Sequence, residues 1–286
     1  MMKVWLLDSD PHYGRMEFVE WDDREKVYDW VEEGKVLSED WTPLAVKFDE
    51  NGEPSDFLAN INGALIVSSK TKEVLSQIPG LPIEFLPLQS DDSCYIMNVL
   101  TVLDCIDYDN SKKYQDTERV DQYSLSLYEE IVSEHDIFRM KAREGEQILG
   151  YSYVSDRLKK LIEDKLVGWQ LVEIWDSEFS WQQQEAQHEA MCKAVNDSLI
   201  VTFDFGKASK YVEKNKGALA YSGKWALRVD ENNDTLLGRL LLDGTYEWSN
   251  PIYYPPIILY LTWGIKEKKE KKISFVSMLK NLISFK

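Results

Sequence analysis

The run His188-Glu189-Ala190-Met191-Cys192 is the most chemically suggestive in the sequence. On a helix its histidine and cysteine stand at i and i+4 on one face, the spacing at which the two histidines of HExxH hold zinc. Here the fifth residue is a thiol and no separate third ligand follows, so Cys192 packed in the core with His188 at its rim is the preferred reading. Cys94 and Cys105, taken with His135, fail as nucleophile and base because both cysteines lie in apolar runs where a buried thiol is inert. The acidic run from Asp104 to Ser111 has oxygen donors for calcium. It lacks the central glycine and the bidentate glutamate at the twelfth place, where Gln115 and Asp116 are nearest, and reads as a solvated loop. Fifty acidic residues supply carboxylate pairs for glycoside hydrolysis without identifying any one of them. GxGxxG, GxxxxGKS/T and GxSxG are all missing. The sequence therefore assigns no catalytic residue, no metal ligand and no cofactor.

The elements that must position these residues follow from periodicity and turn chemistry. Strands at 4–7 and 16–21 flank a turn holding Pro11 and Gly14, and a helix over 24–33 stops at Gly34, which gives a βαβ-like beginning. Strands at 44–48 and 64–67 are followed by a helix over 70–78 capped by Ser68 or Ser69, and the proline-punctuated run 81–88 suits an edge strand. Residues 94–103 read as a buried strand, 104–121 as a surface loop, and 126–132 and 137–142 as short strands. The clearest helix opens at Ser155 as N-cap, aligns Leu158, Leu161 and Ile162, ends with Gly168 at C′ and leads into a strand at 169–175. A helix over 181–195 precedes a mainly β run at 199–204, 218–221, 224–229, 236–242, 245–249 and 257–263, with Asp243-Gly244 as a two-residue hairpin loop. The expected class is α+β: mixed or antiparallel sheets with a few packed helices and a β-rich C-terminal half. Three parts are expected: 1–175, 176–263 led by a helix, and 264–286.

Charge divides along the same lines. The chain of 286 residues carries 33 basic and 50 acidic side chains, a net charge of -17, and with 44% apolar residues it has the composition of a folded protein. Residues 1–175 hold 18 basic against 36 acidic side chains, 176–263 hold 8 against 12, and 264–286 hold 7 against 2. Neutralising phosphates takes clustered cations, so a nucleic-acid partner is excluded, and the negative field of the first part points to a basic partner docking there. Three widely spaced cysteines indicate a reducing compartment. The apolar run at the start is too short for a signal peptide, and no segment reaches the ~18 apolar residues of a membrane span, so a cytoplasmic protein is expected. At the other end Phe275, Val276, Met278, Leu279, Leu282 and Ile283 form one face of a helix preceded by the basic stretch 266–272. That face suits an anionic membrane, and equally docking on the chain's own domain or on a second subunit.

The central segment carries a resemblance. Leu81-Pro82-Ile83-Glu84-Phe85-Leu86-Pro87, Tyr95-Ile96-Met97-Asn98-Val99-Leu100, Leu103-Asp104-Cys105-Ile106-Asp107, Ile137-Phe138-Arg139, Val154-Ser155-Asp156-Arg157-Leu158 and Leu166-Val167-Gly168-Trp169 together resemble the eleventh numbered family of bacterial immunity proteins. The likeness spans about residues 40–175. Asn98, Asp104, Phe138, Ser155, Asp156 and Gly168 match its landmarks, although Ser155 and Gly168 also read as helix caps and Phe138 as core. The resemblance implies a non-enzymatic inhibitor that binds and neutralises a cognate toxin encoded beside it, and it implies no catalytic residues.

With that implication, the exposed acidic and aromatic residues become the expected toxin interface: Asp91, Asp92, Asp104, Asp107, Tyr108, Asp109 and Tyr114. Two other readings stand beside it. One is a hydrolase or metal-dependent enzyme whose site assembles from distant residues. The other is a membrane-associated immunity protein that faces a pore-forming toxin through its C-terminal helix.

Overall fold

The computed structural model describes residues 2–266 except 11, 14, 33, 49–52, 62, 63, 116 and 143–147. The amphipathic helix expected over 273–286 lies outside the described residues. The chain divides into two compact units, 1–181 and 182–286.

The first unit runs β1 (Lys3–Ser9), β2 (Met16–Phe18), α1 (Trp21–Glu32), β3 (Val46–Phe48), β4 (Phe57–Ile61), β5 (Ala64–Ser68), α2 (Ser69–Ser76), β6 (Ile83–Pro87), β7 (Cys94–Val99), β8 (Val102–Leu103), α3 (Glu129–Val132), β9 (Ile137–Met140), β10 (Ser152–Ser155), α4 (Asp156–Lys165) and β11 (Trp169–Asp176). Its strands form a five-stranded sheet in the order β11-β1-β10-β9-β8, a four-stranded sheet β4-β5-β7-β6 and the pair β2-β3. Among these strands only β8 and β9 pair in parallel. The class is α+β, as the periodicity requires.

Side-chain alternation explains the layering. Along β1, Val4 and Leu6 enter one buried cluster while Leu7 enters another. Phe138 and Tyr153 follow the first, and Ile137 and Val154 the second. In the four-stranded sheet, Leu65, Val67, Met97 and Val99 join that second cluster, whereas Ala64, Ile66, Cys94 and Ile96 face a third. The two sheets thus share a central core with Leu75 of α2 and with Leu158 and Ile162 of α4. Met16, Val27 and Val46 cover the far side of the four-stranded sheet, and Cys105, Ile106, Leu125, Leu127 and Val132 cover the far side of the five-stranded one.

A buried carboxylate ties these layers. Asp56 Oδ2 accepts the N–H of Val167 (3.0 Å) and Lys70 Nζ (2.9 Å), while Oδ1 accepts the Ser68 hydroxyl (2.9 Å). Ser68 is the N-cap of α2, so Asp56 fixes the start of one helix and the exit of α4 together. Ser155 caps α4 as expected. Gly168 is displaced from the expected role, because Leu166 ends the helix in an extended conformation. Its φ of +86° and a Cβ position that would clash with the Ser55 side chain make the glycine a requirement of close chain approach. Two further expectations change. β2 and β3, which flank α1, pair antiparallel with each other, so there is no βαβ unit there. The strand expected at 126–132 is a single bridge, Ile106 to Leu127, followed by α3, since the N–H groups of Ile131 and Val132 turn back to Tyr128 O.

The second unit takes up α5 (Trp181–Asp197) and continues with β12 (Val201–Phe203), α6 (Phe205–Lys214), β13 (Ala220–Ser222), β14 (Trp225–Val229), β15 (Thr235–Leu240), β16 (Tyr246–Ser249), α7 (Pro256–Leu259) and β17 (Trp263–Ile265). Its antiparallel sheet has the order β12-β17-β13-β14-β15-β16. The helix α6, absent from the sequence reading, starts where Asp204 Oδ1 accepts the Lys207 N–H (2.9 Å) and buries Ala208 and Val212. The strand expected at 257–263 is replaced by the one-turn α7, with Pro256 in its first turn, and by β17. The hairpin after β15 is also longer than two residues: Gly244, at φ +85°, donates to Leu241 O (3.0 Å), and Leu241 N–H donates to Thr245 O (2.9 Å).

Replacing Asp56 by Ala is expected to destabilise the first unit by about 3 kcal/mol, because three donors lose a charged acceptor at once. Gly168→Ala should cost about 1–3 kcal/mol through backbone strain, before the clash with Ser55 is counted. Urea unfolding of the two variants against the parent protein measures both.

Candidate functional site

Residues 104–128 leave the edge of the five-stranded sheet and return to cover its outer face. Cys105, Ile106, Leu125 and Leu127 are the inward anchors. The base of the excursion is stitched by Asp107 N–H to Ser126 O (2.9 Å) and Tyr128 N–H to Cys105 O (2.9 Å), and its outer part by Lys112 N–H to Ser124 O (3.0 Å) and Tyr114 N–H to Arg119 O (2.9 Å). Asp107 organises the turn: its Oδ1 accepts the N–H groups of Asp109 and Asn110 (3.2 Å each) and its Oδ2 the Asn110 amide (2.7 Å). The loop foreseen as solvated is therefore an ordered cover with one apolar and one acidic side.

Four carboxylates, those of Asp104, Asp107, Asp109 and Glu130, act on the phenol of Tyr128. Asp107 contributes most, followed by partial burial, Asp109, Glu130 and Asp104, and together they raise the hydroxyl above its ordinary value. Asp104 and Asp109 are exposed and make no ion pair among the described residues. Two of the loop's three cations are engaged locally: Lys113 pairs with Glu118 at 2.9 Å, and Lys112 lies 5.5 Å over the Trp181 ring, while Arg119 is exposed. Tyr114, Tyr123 and Tyr128 are exposed on the same segment.

The seven residues singled out from the sequence separate on this geometry. Asp104, Asp107 and Asp109 all raise the Tyr128 phenol. Tyr108 turns inward, its hydroxyl donating to Lys141 O (3.0 Å), and Tyr114 stands at the outer end of the excursion. Asp91 and Asp92 occupy the turn between β6 and β7, beside Cys94 and Leu88, whose side chains belong to the far core of the four-stranded sheet. Tyr128 and Glu130 were missed. Only the bridge between Ile106 and Leu127 carries Tyr128 to the acidic run, and no local sequence pattern announces it.

The other chemical candidates have structural occupations. His188 Nε2 lies 2.9 Å from Leu240 O, and Cys192 Sγ is nearly equidistant from the two ring nitrogens, at 3.9 and 4.0 Å, so neither lone pair is aimed at it. Burial raises the Cys192 thiol, and burial with help from Asp104 pushes Cys105 up to about 12. Burial also raises Cys94, which lies 3.2 Å from the Ser90 hydroxyl. His12, half of no dyad with these thiols, is bonded to Asp10 at 2.8 Å. Among the described residues no three His, Cys, Asp or Glu side chains gather into a metal set.

The field at Tyr128 is measurable by itself. In an NMR titration Tyr128 should ionise above the ordinary phenol range, and Asp104→Asn with Asp109→Asn should move its midpoint down.

No curated protein matches the chain. Residues 37–174 match the family model described as Immunity protein family (Imm11), a span that takes in both larger sheets except β1 and the last two residues of β11, together with the acidic cover. Residues 182–286 lie beyond it. Over 37–174, and so over the greater part of the first unit, the chain is similar to the immunity protein family (Imm11).

Proposed function

We propose that this chain binds and neutralises a cognate bacterial toxin in the cytoplasm, through the acidic and aromatic outer side of residues 104–130, with no catalysis of its own. The observation that carries this reading is the convergence of Asp104, Asp107, Asp109 and Glu130 on Tyr128, on a segment anchored from behind by the core. Charge supports it. Residues 1–181 hold 18 basic against 38 acidic side chains, whereas 182–286 hold 15 against 12. A field concentrated in the first unit steers a basic partner toward it and raises the association rate. Affinity then comes from aromatic anchors, here Tyr128, Tyr123 and Tyr114, inside a patch of about 1,600 Å² in total. Asp91 and Asp92 would form a separate, secondary contact.

Neither alternative gains an observation of its own. The enzyme reading would need the His188 and Cys192 pair to be free for chemistry, and the histidine is bonded to a backbone carbonyl. The reading against a pore-forming toxin rests on a tail outside the described residues, and no described helix is long and apolar enough to cross a membrane.

Co-expression with the product of the adjacent gene should rescue growth and yield a complex that co-purifies. Asp104→Lys with Asp109→Lys should then slow association at low salt by about tenfold or more and flatten its salt dependence. Tyr128→Ala should weaken the complex by about 2 kcal/mol, chiefly through faster dissociation. A folded protein that neither rescues nor co-purifies overturns the proposal. An unchanged association rate in the charge variant overturns the placement of the interface.

A further inference from the structure

The second unit has an apolar surface that its own core does not use. Between Glu247 and Lys266 the sequence has no charged side chain. Within this stretch Ile252, Tyr260, Tyr253 and Ile257 expose 102, 89, 75 and 70% of their surface, and Leu259 is exposed beside them. Their immediate neighbours point the other way. Ile258 is buried with Ala208 and Val212 of α6, the Tyr254 hydroxyl donates to Thr235 O (3.2 Å), and Phe205 stacks its edge against Tyr254 and Trp263 at 4.9 and 5.8 Å. The Trp263 indole N–H donates to Ile258 O (3.2 Å), which fastens the end of α7 to β17. The exposed side chains therefore project from a backbone held from within, as a fixed wedge.

Cations flank the wedge. The helix α6 packs against α7 and carries Lys207, Lys210 and Lys214 at a spacing of three and four residues, so they share one face, with Lys216 just beyond the helix. Lys207 pairs with Asp204 (3.1 Å), and Glu213 is bonded to the Ser209 hydroxyl (2.8 Å). Lys210, Lys214 and Lys216 are exposed and make no ion pair among the described residues.

We propose that this wedge, Ile252, Tyr253, Ile257 and Tyr260 with the lysine face of α6, is a seat for an anionic lipid surface. The charges lie beside the apolar side chains and not among them, which matches a bilayer's division into acyl boundary and anionic headgroups. Tyrosine is at home at that boundary, with its ring in the apolar layer and its hydroxyl in the wet one. The convexity decides between lipid and protein: isolated side chains almost fully in water gain little against a flat protein face, whereas a fluid bilayer closes around them. The contact would be peripheral, and it depends neither on the toxin reading nor on the C-terminal residues beyond 266.

Sedimentation of the full chain with vesicles tests this directly. Vesicles of phosphatidylcholine containing about one quarter phosphatidylglycerol should bind it at least about tenfold more tightly than pure phosphatidylcholine vesicles. Ile252→Asp with Tyr260→Asp should abolish sedimentation, and Lys210→Glu with Lys214→Glu should weaken it about tenfold, with circular dichroism unchanged because all four side chains are exposed. Absence of binding to either vesicle overturns the proposal, as does binding that the variants leave intact. If the parent protein never sediments and the Asp variant instead loses binding to a co-purifying protein, the wedge is a protein interface and the lipid assignment is wrong.

Discussion

Both larger sheets of the first unit are apolar on both faces, and the rest of that unit follows from this constraint. A sheet with two apolar faces must be covered twice. The two inner faces cover each other across α2 and α4, which leaves two outer faces to be closed by other segments. The pair β2-β3 with α1 closes one, and residues 104–132 close the other. The excursion is thereby a structural cover. Its inner side chains cannot vary without opening the core, while its outer ones are free to specialise.

That division explains how like charges can be placed on one side of the segment. Carboxylates repel, and a flexible loop would spread them. Here the backbone hydrogen bonds at the base and the turn organised by Asp107 hold Asp104, Asp109 and Glu130 near Tyr128 whatever their mutual repulsion. Asp107 itself spends its oxygens on the turn, so it contributes to the field more than to any direct contact. Tyr128 remains a neutral hydroxyl among acceptors, able to donate a hydrogen bond into a partner while its ring supplies apolar contact.

The parts of this arrangement that local chemistry specifies were legible in the sequence. Ser155 before an apolar stripe at helical spacing gives α4, Ser68 gives α2, and the prolines of 81–88 put β6 at a sheet edge. What was missed depends on tertiary partners. The helix α6 has Gly206 in its first turn, which weakens its local helical signal, and the Asp204 cap and the burial of Ala208 and Val212 decide for a helix. In 257–263 the β-branched run is overruled by Pro256 and by the need to bring Ile258 inward. Tyr128 joins Asp104 through a bridge between residues about twenty apart, which no periodicity encodes. The acidic run was visible as composition; its aromatic centre was visible only in three dimensions.

The partition of charge has a consequence for how net charge should be understood. The figure of -17 belongs to no surface: it joins a first unit with an excess of 20 acidic side chains to a second unit with an excess of 3 basic ones. Screening at physiological salt acts over roughly 8 Å, so a partner meets the charges around its own contact and not the sum over the chain. The acidic excess of the first unit is therefore the figure that bears on the proposed basic partner. For the lipid contact proposed on the second unit, the figure that counts is that unit's own small basic excess. The two proposed contacts, opposite in electrostatic sign, thus fall on different units, each folded around its own core.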